Sequence, residues 1–297
     1  MSLPAPILVT GGTGQVGTAI REAASRFGVE VRAPDRDALD LTSAESIGSM
    51  LDDDWSAVIN AAAYTAVDKA EGDPVAAWRV NALAPAAFGA ACAQAGVPLV
   101  QVSTDYVFAG NKQGAWEVDD PVAPLGVYGA SKLGGELAVR TSGARHAIVR
   151  TAWVVSAHGS NFVKTMLRVG AERGAVRVVD DQVGSPTGAA DLAHALLTIA
   201  VRLAEDADAP AGTFHFSNAG EVSWAGFARE IFRQSGERGG PRATVESITT
   251  AEYPTSTRRP ANSLLSHEAI RRAYGVIPRP WSQALGDILD ELIGVLK

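Results

Sequence analysis

The strongest constraint on this chain lies near its N-terminus. A short apolar run, Ile7-Leu8-Val9, leads into Thr10-Gly11-Gly12-Thr13-Gly14-Gln15-Val16-Gly17 and then into a helix-like segment from about Val16 to Phe27. Such a run has the character of a buried parallel strand. A strand, a glycine turn and a helix in that order open a βαβ unit. Gly11 permits the tight turn, Gly14 lets the backbone approach a pyrophosphate, and Gly17 lets the helix pack closely on the strand. The helix N-terminus then presents free N–H groups and the positive end of its dipole. The segment therefore predicts a dinucleotide site, with Gly11, Gly14, Gln15, Val16 and Gly17 as contacts and NADPH or NADH as the cofactor.

Alternation continues downstream. Val29 to Ala33 and Ala57 to Asn60 read as strands. Val75 to Ala95 is Ala-rich and helical, closed by Gly96, and Pro98 to Ser103 is another apolar strand. Tyr128 to Arg140 reads as helix and His146 to Trp153 as strand. Strand–helix alternation predicts an α/β fold, a doubly wound parallel sheet of the Rossmann type. Helices are expected over Phe162–Gly174, Ala189–Leu203, Ser223–Gly236 and Trp281–Leu296, with short strands at Val176–Val179 and Thr213–Ser217. The expected organisation is an NAD(P)-binding domain over 1–155 and a smaller C-terminal α/β substrate-binding domain over 156–297. That boundary is soft, and later segments could return to the first domain.

At 297 residues the chain can bury a large core. A net charge of −7 without any basic run speaks against nucleic acid as a partner, and the acidity itself reads as solubility. A lone cysteine, Cys92, allows no internal disulfide and fits a reducing compartment. No apolar run reaches membrane-spanning length, and Met1-Ser2-Leu3-Pro4 has no basic signal-peptide character, so a cytoplasmic location is expected.

The second βα unit should end in an acid that chooses between the cofactors. Asp35 would accept from an adenosine ribose and favour NAD, whereas Arg36 would pair with a 2′-phosphate and favour NADP. Both are present, and the preference stays open. The Gly-x-x-Gly-x-x-Gly spacing resembles the extended short-chain dehydrogenase/reductase pattern, which implies adenine contacts at Asp40 and Leu41; the other reading is a helix-capping Asp and a core Leu.

Tyr128-Gly129-Ala130-Ser131-Lys132 puts a phenol and an ammonium on one helix face, four residues apart. A nearby cation would lower the tyrosine pKa toward working pH. Ser103-Thr104-Asp105-Tyr106 follows a buried strand, at the sheet edge where ligands bind in such folds. Thr104 should sit there with its hydroxyl free for a carbonyl oxygen, or else cap the following turn with Asp105. Thr104, Tyr128 and Lys132 are the candidate catalytic residues.

With these motifs in chain order, the sequence resembles the dTDP-4-dehydrorhamnose reductases, also called dTDP-L-rhamnose synthases, within the extended short-chain dehydrogenase/reductases. The resemblance runs through Thr13–Gly17, Asn60–Glu71, Ser103–Phe108, Pro124–Lys132, Arg150–Val154, Asn161–Met166, Asp181–Thr187 and Arg259–Ser263. It implies reduction of the C4 ketone of dTDP-4-dehydro-6-deoxy-L-mannose, a dTDP-4-keto-6-deoxyhexose. It also implies that Ala62, Ala63, Tyr64 and Thr65 line the cofactor groove, that Thr104, Asp105 and Trp153 touch the sugar, and that Arg258 and Arg259 partner the diphosphate. A flat indole suits the C–H face of a deoxyhexose. Some members bind Mg²⁺ between subunits through acids. Ala19 and Ala190 stand at the matching positions, and the five histidines are scattered, so no metal and a monomer or weak homodimer are expected. Two alternatives stay open. One is a reductase or epimerase of another dTDP-4-keto-6-deoxysugar. The other is a non-catalytic dinucleotide-binding regulatory subunit. The dehydratase branch carries Asp-Glu after the threonine, whereas Asp105-Tyr106 follows here.

Overall fold

A computed structural model describes residues 3–294. Its centre is a six-stranded parallel sheet. The first strands in chain order are β1 (Ile7–Thr10), β2 (Val31–Arg32), β3 (Ala57–Asn60), β4 (Leu99–Thr104) and β5 (His146–Thr151). The sixth is Gly212–His215, and the spatial order runs from it through β5, β4, β3 and β1 to β2. From β1 the chain first steps outward to β2, then crosses back to β3 on the other side. The crevice between the carboxyl ends of β1 and β3 is thus the topological switch point, where open α/β sheets bind ligands.

Every residue of β1 and β3 is buried. That explains their unbroken apolar runs, because helices cover both faces. One face is covered by α1 (Gln15–Ala23) and α8 (Ala189–Glu205), whose Ile20, Leu192, Leu196 and Leu203 meet Ile7, Val9 and Phe214. The other face is covered by α2 (Ala44–Met50), α5 (Ala84–Ala95) and α6 (Val127–Thr141) through Ile47, Phe88, Cys92 and Val139. Cys92 is fully buried, and burial pushes its thiol up to about 12, which suits a packing role.

A separate cluster holds the smaller unit. The strand Ala175–Val179 pairs in parallel with Thr244–Ile248. Around it pack α7 (Phe162–Arg173), α9 (Trp224–Glu237) and α11 (Trp281–Gly294), joined by Phe227, Ile231 and Leu289. The segments 189–216 and 269–276 both lie with the larger sheet, so the chain returns to the first layer twice.

Several elements differ from the sequence reading. The second strand is only Val31–Arg32 rather than Val29–Ala33, because it is an edge strand paired on one side alone. The Ala-rich helix runs continuously over Pro74–Ala95, as α4 (Pro74–Trp78), a π-helical turn (Arg79–Leu83) and α5. Three short helices, α2, α3 (Val67–Gly72) and α10 (Glu268–Tyr274), and the strand Thr244–Ile248 were not expected. Expected helix residue Leu296 lies outside the described residues. No helix among the described residues is long and apolar enough to cross a membrane.

Leu196 lies in the second half of the chain yet is fully buried against the N-terminal sheet. Leu196→Ala should cost ~2–5 kcal/mol of unfolding free energy. Urea unfolding followed by circular dichroism should show the main transition moving to lower denaturant. A shift below ~1 kcal/mol would contradict the packing of 189–216 on that sheet.

Candidate active site

The glycine loop closes over the end of β1. Gly11 has a φ of 69°, the left-handed region that favours glycine. A Cβ at Gly17 would lie 2.2 Å from the Gly11 carbonyl oxygen. The helix N-terminus therefore rests directly on the turn, and no side chain larger than hydrogen fits between them. Gly14 is the N-cap of α1 and supplies no side-chain cap, which leaves the first-turn N–H groups available to an anion. Ala62, at the end of β3, closes the other wall, since its Cα would be 3.0 Å from a Cβ on Gly11. A narrow cradle of backbone between two strand ends fits a dinucleotide pyrophosphate. Val16 packs against the core beneath. The Gln15 side chain points elsewhere: its carbonyl accepts from Ser156 Oγ at 3.0 Å and Asn161 Nδ2 at 2.9 Å, tying the loop to the smaller unit.

Farther out, Asp35 and Arg36 are exposed in the loop after β2. Asp35 Oδ1 already accepts from the Asp37 and Ala38 backbone N–H groups. Asp40 holds Thr42 in the same fashion, through its N–H and hydroxyl at 2.8 Å each, which draws its carboxyl below the usual range. Leu41 packs on the core beside it. Asp40 thus braces a local turn, while the helix cap of α2 falls to Ser43, whose side chain accepts from the Ser46 N–H.

On the other side of the crevice, Ala62, Ala63 and Tyr64 are half-buried and Thr65 is exposed. Tyr64 is clasped through its backbone: its N–H donates to Asn81 Oδ1 at 2.8 Å, and Asn81 Nδ2 donates to its carbonyl at 3.1 Å. Asn81 Nδ2 also donates to Ser131 Oγ at 3.0 Å, between Tyr128 and Lys132. Asn81 lies in the π-helical turn and is 1% exposed. The sequence reading missed it. The available signal was one Asn inside a run of alanines, and π turns frequently mark functional sites.

The helix α6 carries Tyr128 and Lys132 to the same edge. A Cβ on Gly129 would meet the Tyr106 carbonyl oxygen at 2.2 Å, so this glycine lets α6 settle against the turn after β4. Lys132 is 3% exposed, and its Nζ donates to the Val102 carbonyl at 2.7 Å. Burial brings its ammonium down to about 8, with Glu136 pulling the other way. The Tyr128 ring meets the Tyr106 ring edge-on at 5.4 Å. Contrary to the sequence expectation, its phenol is held above the ordinary value. Burial outweighs the Thr104 hydroxyl, which favours the phenolate, while the charges of Asp105 and Tyr106 oppose it. A phenol held protonated is an acid, the form that can donate to a ketone.

Thr104 ends β4 opposite Thr151 of β5. Its hydroxyl is engaged rather than free: it donates to Asp105 Oδ1 at 3.0 Å and accepts from the Tyr106 N–H at 3.2 Å. Asp105 is 3% exposed, and its Oδ2 has no hydrogen-bond partner. Burial pushes this carboxyl up to about 6, with the Ser263 and Thr104 hydroxyls pulling it down. Trp153, just past β5, has a φ of 50°, a strained conformation for a non-glycine residue. It stacks on Trp224 at 3.6 Å, and Gly184 packs so closely that a Cβ there would lie 2.7 Å from its indole. Arg259 is ion-paired with Asp68 and reaches the Tyr106 ring, whereas Arg258 is exposed and makes no ion pair among the described residues. Thr104, Asp105, Tyr106, Tyr128, Lys132 and Arg259 thus come together, Asp35, Asp40 and Arg258 lie at the surface, and no group of three or more His, Cys, Asp or Glu among the described residues could hold a metal ion.

The perturbed Asp105 gives a stability test. Its folded pKa of about 6 exceeds the ordinary 3.8, so the folded state binds more protons between those values. Wild-type stability from this group is lost as pH rises from about 4 to 6 and stays lost above. Asp105→Asn should therefore be more stable by about 3 kcal/mol at pH 8, with the gain vanishing toward pH 4. Unfolding titrations at several pH values check it, and a gain that does not change with pH would refute the cause given.

Comparison with known proteins accords with this geometry. The family profile described as the RmlD substrate binding domain matches residues 5–293. A relative from Sinorhizobium fredii named dTDP-4-dehydrorhamnose reductase is 41% identical over 94% of this chain and 94% of its own length. A solved Clostridium acetobutylicum structure titled dTDP-4-dehydrorhamnose reductase superposes with a TM-score of 0.90 at 37% identity, covering 98% of this chain and 99% of that one. A Bacillus anthracis enzyme of the same name, solved in complex with NADP, has a TM-score of 0.89 at 33% identity and covers 98% of this chain and 100% of its own. The chain belongs to the RmlD substrate binding domain family, together with these dTDP-4-dehydrorhamnose reductases.

Proposed function

We propose that this chain reduces the C4 ketone of dTDP-4-dehydro-6-deoxy-L-mannose to dTDP-L-rhamnose, using NADPH or NADH. The observation that carries the reading is the meeting of a backbone cradle at the switch point with the Tyr128–Lys132 pair on the same sheet edge. NAD(P)H, when bound, supplies the hydride. The chain's own groups do the rest. Gly11, Gly14 and Gly17 make room for the pyrophosphate, and Ala62, Ala63, Tyr64 and Thr65 form the opposite wall. Tyr128 gives its phenolic proton to the oxygen that becomes the C4 hydroxyl. Lys132 stabilises the phenolate left behind and reaches the ribose. Thr104 hydrogen-bonds the reacting oxygen by swinging its hydroxyl from Asp105.

Trp153 offers an apolar face to the sugar, Asp105 accepts from a sugar hydroxyl, and Arg259 and Arg258 meet the diphosphate. The names of the relatives support the substrate, and the NADP in the Bacillus anthracis structure supports the cofactor class. We read the protein as cytoplasmic and as a monomer or weak homodimer.

The test is a coupled assay that generates the keto sugar from dTDP-glucose with a dehydratase and a 3,5-epimerase, run with NADH and NADPH in parallel. Cofactor oxidation with dTDP-L-rhamnose identified by NMR is expected. Absence of oxidation, or another sugar as product, rejects the proposal. Tyr128→Phe should keep NAD(P)H binding and cut turnover on the order of 10²-fold or more; full turnover would remove Tyr128 from the mechanism.

A further inference from the structure

Beneath the catalytic pair lies a charged group that the reaction does not touch. Tyr128, Lys132 and Glu136 recur every fourth residue along one face of α6. Glu136 is fully buried. Its carboxylate is saturated with donors: Arg150 of β5 grips it in a fork, Nε to Oε1 at 2.9 Å and Nη2 to Oε2 at 2.8 Å. Ser103 of β4 donates to Oε1 at 2.6 Å, and Arg140, one turn along α6, donates to Oε2 at 2.9 Å. Arg150 is 1% exposed, lies 4.9 Å from the Phe108 ring centre, and reaches the Val118 carbonyl and His215 of the sixth strand. One carboxylate thus joins α6 to two adjacent strands, and its partner Ser103 directly precedes Thr104.

We propose that Glu136 is a positioning residue of this active site, its buried carboxylate fixing α6 against β4 and β5 and standing as the counter-charge one helical turn from Lys132. The proposal rests on the catalytic reading of Tyr128 and Lys132 for its meaning. Lys132 Nζ has the Val102 carbonyl as its hydrogen-bond partner, a dipole without a full charge. Glu136 is the charge that acts on it against burial. The other ionisable groups around it contribute differently. Arg150 and Arg140 pair with Glu136 and offset part of its charge. His215 is kept neutral by burial and by Arg150. Asp105, Tyr106 and Tyr128 lie toward the turn after β4, and Glu71 of α3 binds the Val127 N–H at the start of α6. Removing the Glu136 charge should bring the lysine's midpoint down to neutral pH or below.

The lysine titration can be read without any activity. The chain's lysines are Lys69, Lys112, Lys132, Lys164 and Lys297. In protein labelled with ¹³C at lysine Cε, Lys132→Arg identifies the signal of Lys132. In the wild type its midpoint should fall near pH 8. In Glu136→Gln it should drop by about one pH unit or more, and the alkaline limb of kcat should move down by the same amount while KM changes little. A folded Glu136→Gln protein with an unmoved midpoint overturns the proposal, because a purely structural role would not shift the lysine. If that variant does not fold, Glu136→Met combined with Arg150→Met removes both buried charges and leaves an apolar replacement of similar volume, which cores tolerate. A smaller fall of the midpoint is then expected, and no fall overturns the proposal. A wild type inactive on the keto sugar would reject the assigned reaction, while the titration would still decide the role of Glu136.

Discussion

The site depends on how α6 is fastened to the sheet. Lys132 donates to the Val102 carbonyl, and Glu136, one turn later, receives Ser103 and the Arg150 fork. All these partners lie on β4 and β5, next to Thr104 and Thr151. A buried ion pair of this kind adds little net stability, because removing both charges from water costs about as much as their attraction returns. What it supplies is geometry. A carboxylate with four directional hydrogen bonds has one place to sit, and the helix that bears it cannot slide or rotate without breaking the three that come from β4 and β5. Tyr128 and Lys132 inherit that fixed position.

Burial then sets the protonation states. It pushes the Tyr128 phenol up, the Lys132 ammonium down and the Asp105 carboxyl up. Each shift favours the uncharged form, as desolvation must. Local groups oppose it: the Thr104 hydroxyl at the phenol and Glu136 at the lysine. The result is a tyrosine held as an acid beside a lysine that titrates close to physiological pH. Concentration of perturbed groups at one sheet edge is a mark of functional sites.

The cofactor side is built from close approach rather than charge. At Gly17 and Gly11, atoms of the backbone come within distances that exclude a Cβ. The polar links around the cradle run sideways. Thr10 donates to Asn60, Asn60 to Gln101, and Gln101 to the same Val102 carbonyl that receives Lys132. The strand ends that carry the cradle and the lysine therefore share one buried polar network, with every member satisfied, as low dielectric surroundings demand.

Much of this was legible in the sequence. The apolar runs of β1, β3 and β4 mark strands buried on both faces, and the glycine spacing marks the cradle, since both follow from local sterics and solvent exclusion. The i, i+4 spacing of Tyr128 and Lys132 fixes a shared helix face for the same local reason. The π turn around Asn81 and the raised phenol of Tyr128 were not legible, while the return of later segments to the first sheet and the capping role of the Thr104 hydroxyl stood in the sequence only as alternatives it could not decide. Each depends on partners far along the chain: Asn81 on Tyr64 and Ser131, Leu196 on Ile7 and Val9, Tyr128 on how deeply β4 and its turn enclose it. The sequence by itself determined the buried strands, the glycine turn and the shared helix face of Tyr128 and Lys132. Only the tertiary structure decided their charge states and their seats, because desolvation and long-range hydrogen bonds exist only once the strands have met.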